Sequence, residues 1–190
     1  TTHRTKAERT ASNDAYYTQP GLARACIQTL VRDGWIRDAT RTRMLEPSCG
    51  QFAWVKAAVQ AGVLKDHIHA IDVDQSIKLP FELNGILFMN RDFTTDHQCC
   101  AYDLICGNPP FNDIEAHLEA SFEAVSETGI IAYLLPVLWF TAAGPLNQRK
   151  NRLLGAWKPS HQYLITPRPT FREKAGSDSA AYALWVWAPG

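Results

Sequence analysis

The sequence predicts an α/β fold: a doubly wound, mostly parallel sheet of about seven strands, six running one way and one reversed. Three observations carry this. From residue 20 onward, short apolar runs alternate with stretches of helical period, the pattern of strand–helix–strand units. Residues 129–135, Gly-Ile-Ile-Ala-Tyr-Leu-Leu, are continuously apolar apart from one tyrosine hydroxyl, as in a strand buried on both faces. The last two strand-like runs, 163–166 and 180–187, have no helix between them, so they should pair antiparallel.

Residues 1–14 are polar and aperiodic and read as a mobile arm. Residues 20–33 carry Leu22, Ala25, Cys26, Thr29 and Leu30 at helical spacing. Thr18 is placed to cap that helix, Pro20 suits its first turn and Gly34 its end. Residues 37–43 form a polar connection. A brief strand follows at 44–47, then a helix at 52–61 ended by Gly62, then strands at 67–72, 86–89 and 102–106. Residues 113–126 read as a helix with Ile114, His117, Leu118, Phe122 and Val125 on one face. After the strand at 129–135 comes a helix at 144–156, then the two closing strands with a Gly/Ser/Asp loop between them. No repeat or linker divides residues 15–190, so they read as a single domain.

Composition excludes several classes. The chain has 190 residues, 46% hydrophobic and 20% charged, values that rule out a collagen-like, mucin-like or wholly disordered chain. No apolar run approaches the ~20 residues of a membrane span, so no membrane partner is expected. Arg4, Lys6 and Arg9 have no apolar segment behind them, so no secretory signal is expected and the reading is cytoplasmic. The five cysteines (Cys26, Cys49, Cys99, Cys100 and Cys106) lack paired metal-ligand spacing. They read as small buried hydrophobes, with no metal.

Net charge is zero but unevenly spread. From Asp66 to Glu127 there are twelve acidic residues against Lys78 and Arg91. From Arg149 to Lys174 there are seven basic residues against Glu173. That basic section fits a phosphate-facing patch and, equally, a solvated face balanced by the acidic section.

Four loops at strand ends carry the candidate chemistry. Glu46-Pro47-Ser48-Cys49-Gly50 leaves a strand, turns on a glycine and enters a helix, where backbone N–H groups can face a ligand. A structural turn explains it as well. Asp72 ends the second strand, 22 residues after Gly50, where a carboxylate can accept from ribose hydroxyls; Asp74 then reads as a helix cap, and both fit ordinary caps too. Asp92 and Phe93 end the third strand, a carboxylate for an adenine amino group beside an apolar ring. The fourth loop, Asn108-Pro109-Pro110-Phe111, is the most specific. Its prolines fix φ and hold a rigid turn. Asn108 and a proline carbonyl offer two acceptors beside the flat face of Phe111, which suits a planar base bearing an amino group.

With these loops in order, the sequence resembles the S-adenosylmethionine-dependent amino-methyltransferases of the DNA adenine-N6 type, especially the small phage-borne ones. The resemblance implies a Rossmann-like class I methyltransferase fold and S-adenosylmethionine as cofactor. It makes Asn108, Pro109, Pro110 and Phe111 the catalytic loop. The turn of Glu46, Pro47, Ser48 and Gly50 would hold the methionine part, Asp72 the ribose, Asp92 and Phe93 the adenine, and Tyr16, Tyr17 and Thr18 would close over the cofactor. Pro167-Arg168-Pro169-Thr170-Phe171 is similar to the tail of the phage enzymes, which puts Arg168 and Phe171 near the target base. Trp185 and Trp187 read instead as a core and a surface strand residue. The family usually has a glycine where this chain has Phe52, so that ring is expected to narrow the cofactor pocket or shift the backbone.

The function this implies is methyl transfer to adenine N6 in flipped-out DNA, in a cytoplasm that a phage or mobile element has entered. RNA is the second nucleic-acid choice. With no recognition domain in residues 15–190, a homodimer or a separate specificity partner is expected. Cytosine N4, an RNA amino group and a protein glutamine are alternative targets, and a binding protein that has lost catalysis is the alternative of another class.

Overall fold

In a computed structural model, residues 17–97, 102–141, 158–169 and 180–188 are described, with Gly155. Helix α1 (Pro20–Arg32) leads into β1 (Met44–Glu46), α2 (Ala53–Gln60), β2 (Ile68–Asp72), β3 (Leu87–Asn90) and β4 (Tyr102–Gly107). Then come α3 (Ile114–Ala124), β5 (Val125–Pro136), the single turn α4 (Leu138–Thr141), β6 (His161–Leu164) and β7 (Tyr182–Trp187). The sheet order is β3-β2-β1-β4-β5-β7-β6. Strands β1 to β5 pair in parallel, and β7 runs antiparallel to both β5 and β6. Six strands therefore run one way and one is reversed, as the sequence predicts.

The apolar runs are continuous because the sheet is covered on both sides. Along β5, Ile130, Ala132 and Leu134 join the core with α1 and α2, while Ile131, Tyr133 and Leu135 join the core with α3. Strand β7 divides the same way and is buried throughout. Helix α1 contributes Ala23, Cys26, Ile27 and Leu30, all from one stripe. Between β2 and β3 the chain makes only turns and a short 3-10 segment, Phe81–Leu83, so the β3 edge is thinly covered and Leu87 is half exposed.

Several expectations need correction. Thr18 does not cap α1: Gln19 takes that position with no side-chain bond, and the Thr18 hydroxyl accepts from the buried Trp54 Nε1–H at 3.2 Å. Asp74 caps no helix; its carboxylate accepts from the Ser76 N–H at 2.8 Å in a turn. The helix expected over 113–126 ends at Ala124, because β5 starts at Val125. That early pairing needs a register shift between Tyr102 and Leu104, and Gly129 permits it: a Cβ there would press on the Tyr102 carbonyl. Trp187 is no surface residue. Trp185 and Trp187 are only 7% and 4% exposed, since residues two apart share a sheet face and this one lies under α3. Cys26, Cys49 and Cys106 are buried thiols. The arm at 1–14, Cys99, Cys100 and all of the helix expected at 144–156 except Gly155 lie outside the described residues.

Candidate active site

Strand order reverses between β1 and β4, which are neighbours although β2 and β3 intervene in sequence. Ligands in such sheets bind beyond the carboxyl ends at this point. Here β1 ends on Glu46 and β4 on Gly107, one residue before Asn108. A side chain at Gly107 would meet Glu46 and Pro47, so the two loops leave the sheet side by side.

The turn after β1 is pinned by backbone. The Cys49 N–H donates to the Ile71 carbonyl at 2.9 Å, and the Phe52 N–H to the Cys49 carbonyl at 2.6 Å. Gly50 has φ +45, which favours glycine, and its N–H donates to Asp72 Oδ2 at 2.8 Å. Asp72 Oδ1 accepts from the Asp74 N–H at 2.9 Å. Each oxygen keeps a further lone-pair direction for a ligand donor. Glu46 is 1% exposed, and one of its oxygens accepts from the Val55 N–H at 3.1 Å, at the start of α2. Tyr17 lies across the turn, 2.8 Å from where a Cβ on residue 50 would stand.

Together Tyr17, Glu46, Ser48, Gly50, Trp54 and Asn108 line a cavity of about 30 Å³, with Thr18 at its wall. That is room for about one or two waters.

Burial drives the electrostatics. It pushes the Glu46 carboxyl well above its usual range, and the nearby Asp72 charge adds to this. It also raises Asp72, against backbone donors at Asp74, Gly50 and Val73 that favour its charge, and raises Tyr17, helped by Asp72 and Asp74. No lysine or arginine is among the cavity's described lining residues. The lining therefore offers one carboxyl, Glu46, whose neutral form burial favours, beside uncharged polar groups.

A pH prediction follows. Both carboxyls have folded pKa values above their unfolded ones, so their stability contribution is complete below the unfolded range and is lost as pH rises through the folded values. A cation needs the ionised forms. As pH rises above the ordinary carboxylate range, the ligand-free melting temperature should therefore carry a falling contribution from this pair while affinity for a cation rises. Melts of wild type and Glu46→Gln, with calorimetry across that range, check both. Affinity that is flat with pH would remove the carboxylates from the site.

The other predicted residues are spread around this centre. Pro109 is buried, and the Pro110 carbonyl accepts from the Asp113 N–H at 2.9 Å in the 3-10 turn Phe111–Asp113. Phe111 is half-buried, its ring 6.0 Å from that of Tyr182 at the start of β7. Asp92 Oδ1 accepts from the Thr94 N–H and hydroxyl at 2.9 and 2.7 Å, making a turn at the end of β3. Phe93 does not present an open face for a base. It is 2% exposed in the core under α3, its ring 5.8 and 5.9 Å from His97 and His117. Arg168 is exposed in the loop after β6, away from the cavity lining. Tyr16 and Phe171 lie outside the described residues. Phe52 is in the core and not in the cavity: its ring packs edge-on against Phe88 at 5.2 Å.

Sequence reasoning missed Trp54 and Tyr182, and counted His117 as part of an apolar helix face. His117 bonds Ser48 at 2.9 Å. A polar group at a buried helical position was the available signal.

No protein-family description matches the chain, and no curated protein does. Solved structures do. The type IIG restriction endonuclease BpuSI superposes with a TM-score of 0.68 at 14% identity, over 92% of this chain and 25% of that one. A Listeria monocytogenes protein described as a class I S-adenosylmethionine-dependent methyltransferase gives 0.66 at 10% identity, over 95% and 64%. The fold is that of the class I methyltransferases. A Pyrococcus horikoshii protein described as an RNA methyltransferase has it too, at 0.64 and 17% identity, over 90% and 86%. The chain thus spans a quarter of the endonuclease and under two thirds of the Listeria protein. In this fold the cavity stands at the switch point, flanked by the glycine turn and the Asn108 loop.

Proposed function

We propose that the chain transfers a methyl group from S-adenosylmethionine to the exocyclic N6 of adenine in DNA. The observation that carries this reading is the cavity at the β1/β4 switch point, which shares its wall with Asn108 and has Glu46 and Ser48, and no lysine or arginine, among its described lining residues. The donor set fits the cofactor. S-adenosylmethionine carries a sulfonium and an ammonium, and would supply an activated methyl group when bound. Glu46 and Ser48 are set for its amino-acid end. Asp72, held by two backbone N–H groups, is set for the ribose hydroxyls. Gly50 lets the ligand lie against backbone.

The amino nitrogen of adenine is a poor nucleophile, because its lone pair is delocalised into the ring. Asn108 and the Pro109 carbonyl would accept its two hydrogens and localise the lone pair toward the methyl group. Positioning and preorganised acceptors then supply the catalysis. The target atom lies inside the duplex, so the base must leave the stack, with Phe111 against it. The restriction-endonuclease neighbour supports DNA and the RNA-methyltransferase neighbour supports RNA. The double acceptor beside an aromatic ring, with the sequence resemblance of residues 167–187 to the phage adenine enzymes, favours adenine in DNA.

Expression in a methylation-free host with mapping of modified bases tests the target. N6-methyladenine is expected. Methylated cytosine, RNA or glutamine would move the target, and S-adenosylmethionine binding without any transfer would favour the binding-protein reading.

The cofactor half has its own test. Asp72→Ala removes a charged acceptor and should weaken S-adenosylmethionine binding about ten- to a hundredfold. It also leaves the Gly50 N–H without its acceptor, so the melting temperature should fall by a few degrees. Unchanged calorimetric affinity would place the ribose contact elsewhere.

A further inference from the structure

The proposed function uses Ser48 and the Asn108 loop but leaves unused the buried polar residue that joins them. His117 sits on α3, 6% exposed. Its Nδ1 is 3.0 Å from the Asp113 carbonyl, and its Nε2 is 2.9 Å from Ser48 Oγ. A carbonyl only accepts, so Nδ1 carries the hydrogen. In the neutral ring Nε2 is then bare, and the Ser48 hydroxyl must donate to it.

The helix is anchored behind this contact. The Ser121 hydroxyl donates to the His117 carbonyl at 2.6 Å, so the hydrogen in the 2.6 Å contact between Ser121 and Tyr133 comes from the tyrosine on β5. The imidazole also lies against Phe93, 5.9 Å between ring centres. One ring thus meets the turn after β1, Phe93 in the turn that follows β3, and the segment that follows the Asn108 loop.

We propose that His117 is a positioning residue that fixes Ser48 as a hydrogen-bond acceptor toward the cavity. With its own hydrogen held by Nε2, Ser48 offers only lone pairs to a ligand. It then accepts from a cationic amine and has no hydrogen free for an anion. This deepens the proposed function and rests on it, since the amine is the ammonium of S-adenosylmethionine. The Glu46 carboxyl in the same cavity wall offers that amine a second acceptor. Without an acceptor at residue 117, the hydroxyl is free to turn its hydrogen into the cavity, where it opposes the ammonium.

Three variants and one spectrum test this on the whole chain. His117→Phe fills the space without an acceptor and should weaken S-adenosylmethionine about tenfold by calorimetry. His117→Gln can place its amide oxygen where Nε2 stood, and should bind within about threefold of wild type. Ser48→Ala should lose about as much as His117→Phe, and the double variant little more than either, because the two act as one unit. Nitrogen-15 shifts of the wild-type imidazole should show a protonated Nδ1 and a bare Nε2.

A hydrogen on Nε2 overturns the proposal, as does wild-type affinity in His117→Phe or fully additive losses in the double variant. If His117→Phe does not fold, the glutamine variant and the spectrum decide. If wild type itself fails to bind S-adenosylmethionine, the methyltransferase reading falls. The spectrum and the Ser48–His117 coupling in thermal unfolding then still decide whether His117 orients Ser48.

Discussion

Asn108→Ala is expected to keep cofactor affinity within a few-fold and to lose about 10²–10³ in turnover, the usual effect of deleting one preorganised polar partner of the reacting group. Asn108 follows β4 directly, and two prolines lock the chain beyond it, so its carboxamide is set by backbone that cannot relax. The loop is tied down again at its far end, where the Pro110 carbonyl accepts from the Asp113 N–H. The alanine variant should therefore leave the loop in place and remove only the side-chain acceptor. The Pro109 carbonyl would remain, which is why the loss should be partial. Single-turnover methyl transfer at saturating S-adenosylmethionine is the measurement, with calorimetry as the control. Near-normal turnover would remove Asn108 from the chemistry. A matching collapse of cofactor affinity would make it a cofactor residue only.

The parts of the fold that could be read from sequence are those where one periodicity dominates. The run in β5 answers to a single burial pattern and stands where expected, whereas α1 forms where expected but buries Ala23 and Ile27 with Cys26 and Leu30, leaving Ala25 exposed. The turn at Glu46 and the loop at Asn108 were legible because proline and glycine restrict backbone so strongly that few geometries fit. What was hidden depends on long-range packing. Nothing local marks Val125 as the start of a strand, since that follows from Tyr102 across the sheet and from the close approach at Gly129. Trp187 was misplaced because alternation tells which residues share a face, not whether that face is covered. Thr18 looked like a cap because caps are local, whereas its partner Trp54 is 36 positions away. Phe93 looked like a base platform because an aromatic beside an acid at a strand end is equally a core residue. His117 passed for an apolar position because its two ring partners come from different loops.

Phe52→Gly should be strongly destabilising although it restores the residue the resembling family prefers. Phe52 has φ +63, left-handed backbone that a side chain adopts at a cost of roughly 1–2 kcal/mol. Glycine would relieve that strain. The ring, however, is 2% exposed and packs on Phe88 within the core shared with α1 and α2, and removing a buried phenylalanine costs about 3–5 kcal/mol. The packing loss exceeds the backbone gain, so the net loss should be about 1–4 kcal/mol, and the melting temperature should fall by roughly 2–16 °C for a chain of this size. The cavity should respond differently. Because the ring points into the core, it takes no room from a ligand, and S-adenosylmethionine affinity well below the melt should stay within about threefold of wild type. Thermal unfolding and calorimetry on the same preparations separate the two effects. A glycine variant as stable as wild type would mean the left-handed strain matches the packing gain. A variant that binds ten times more tightly would mean that Phe52 obstructs the cofactor, and that the core position of its ring is not the one it holds when ligand arrives.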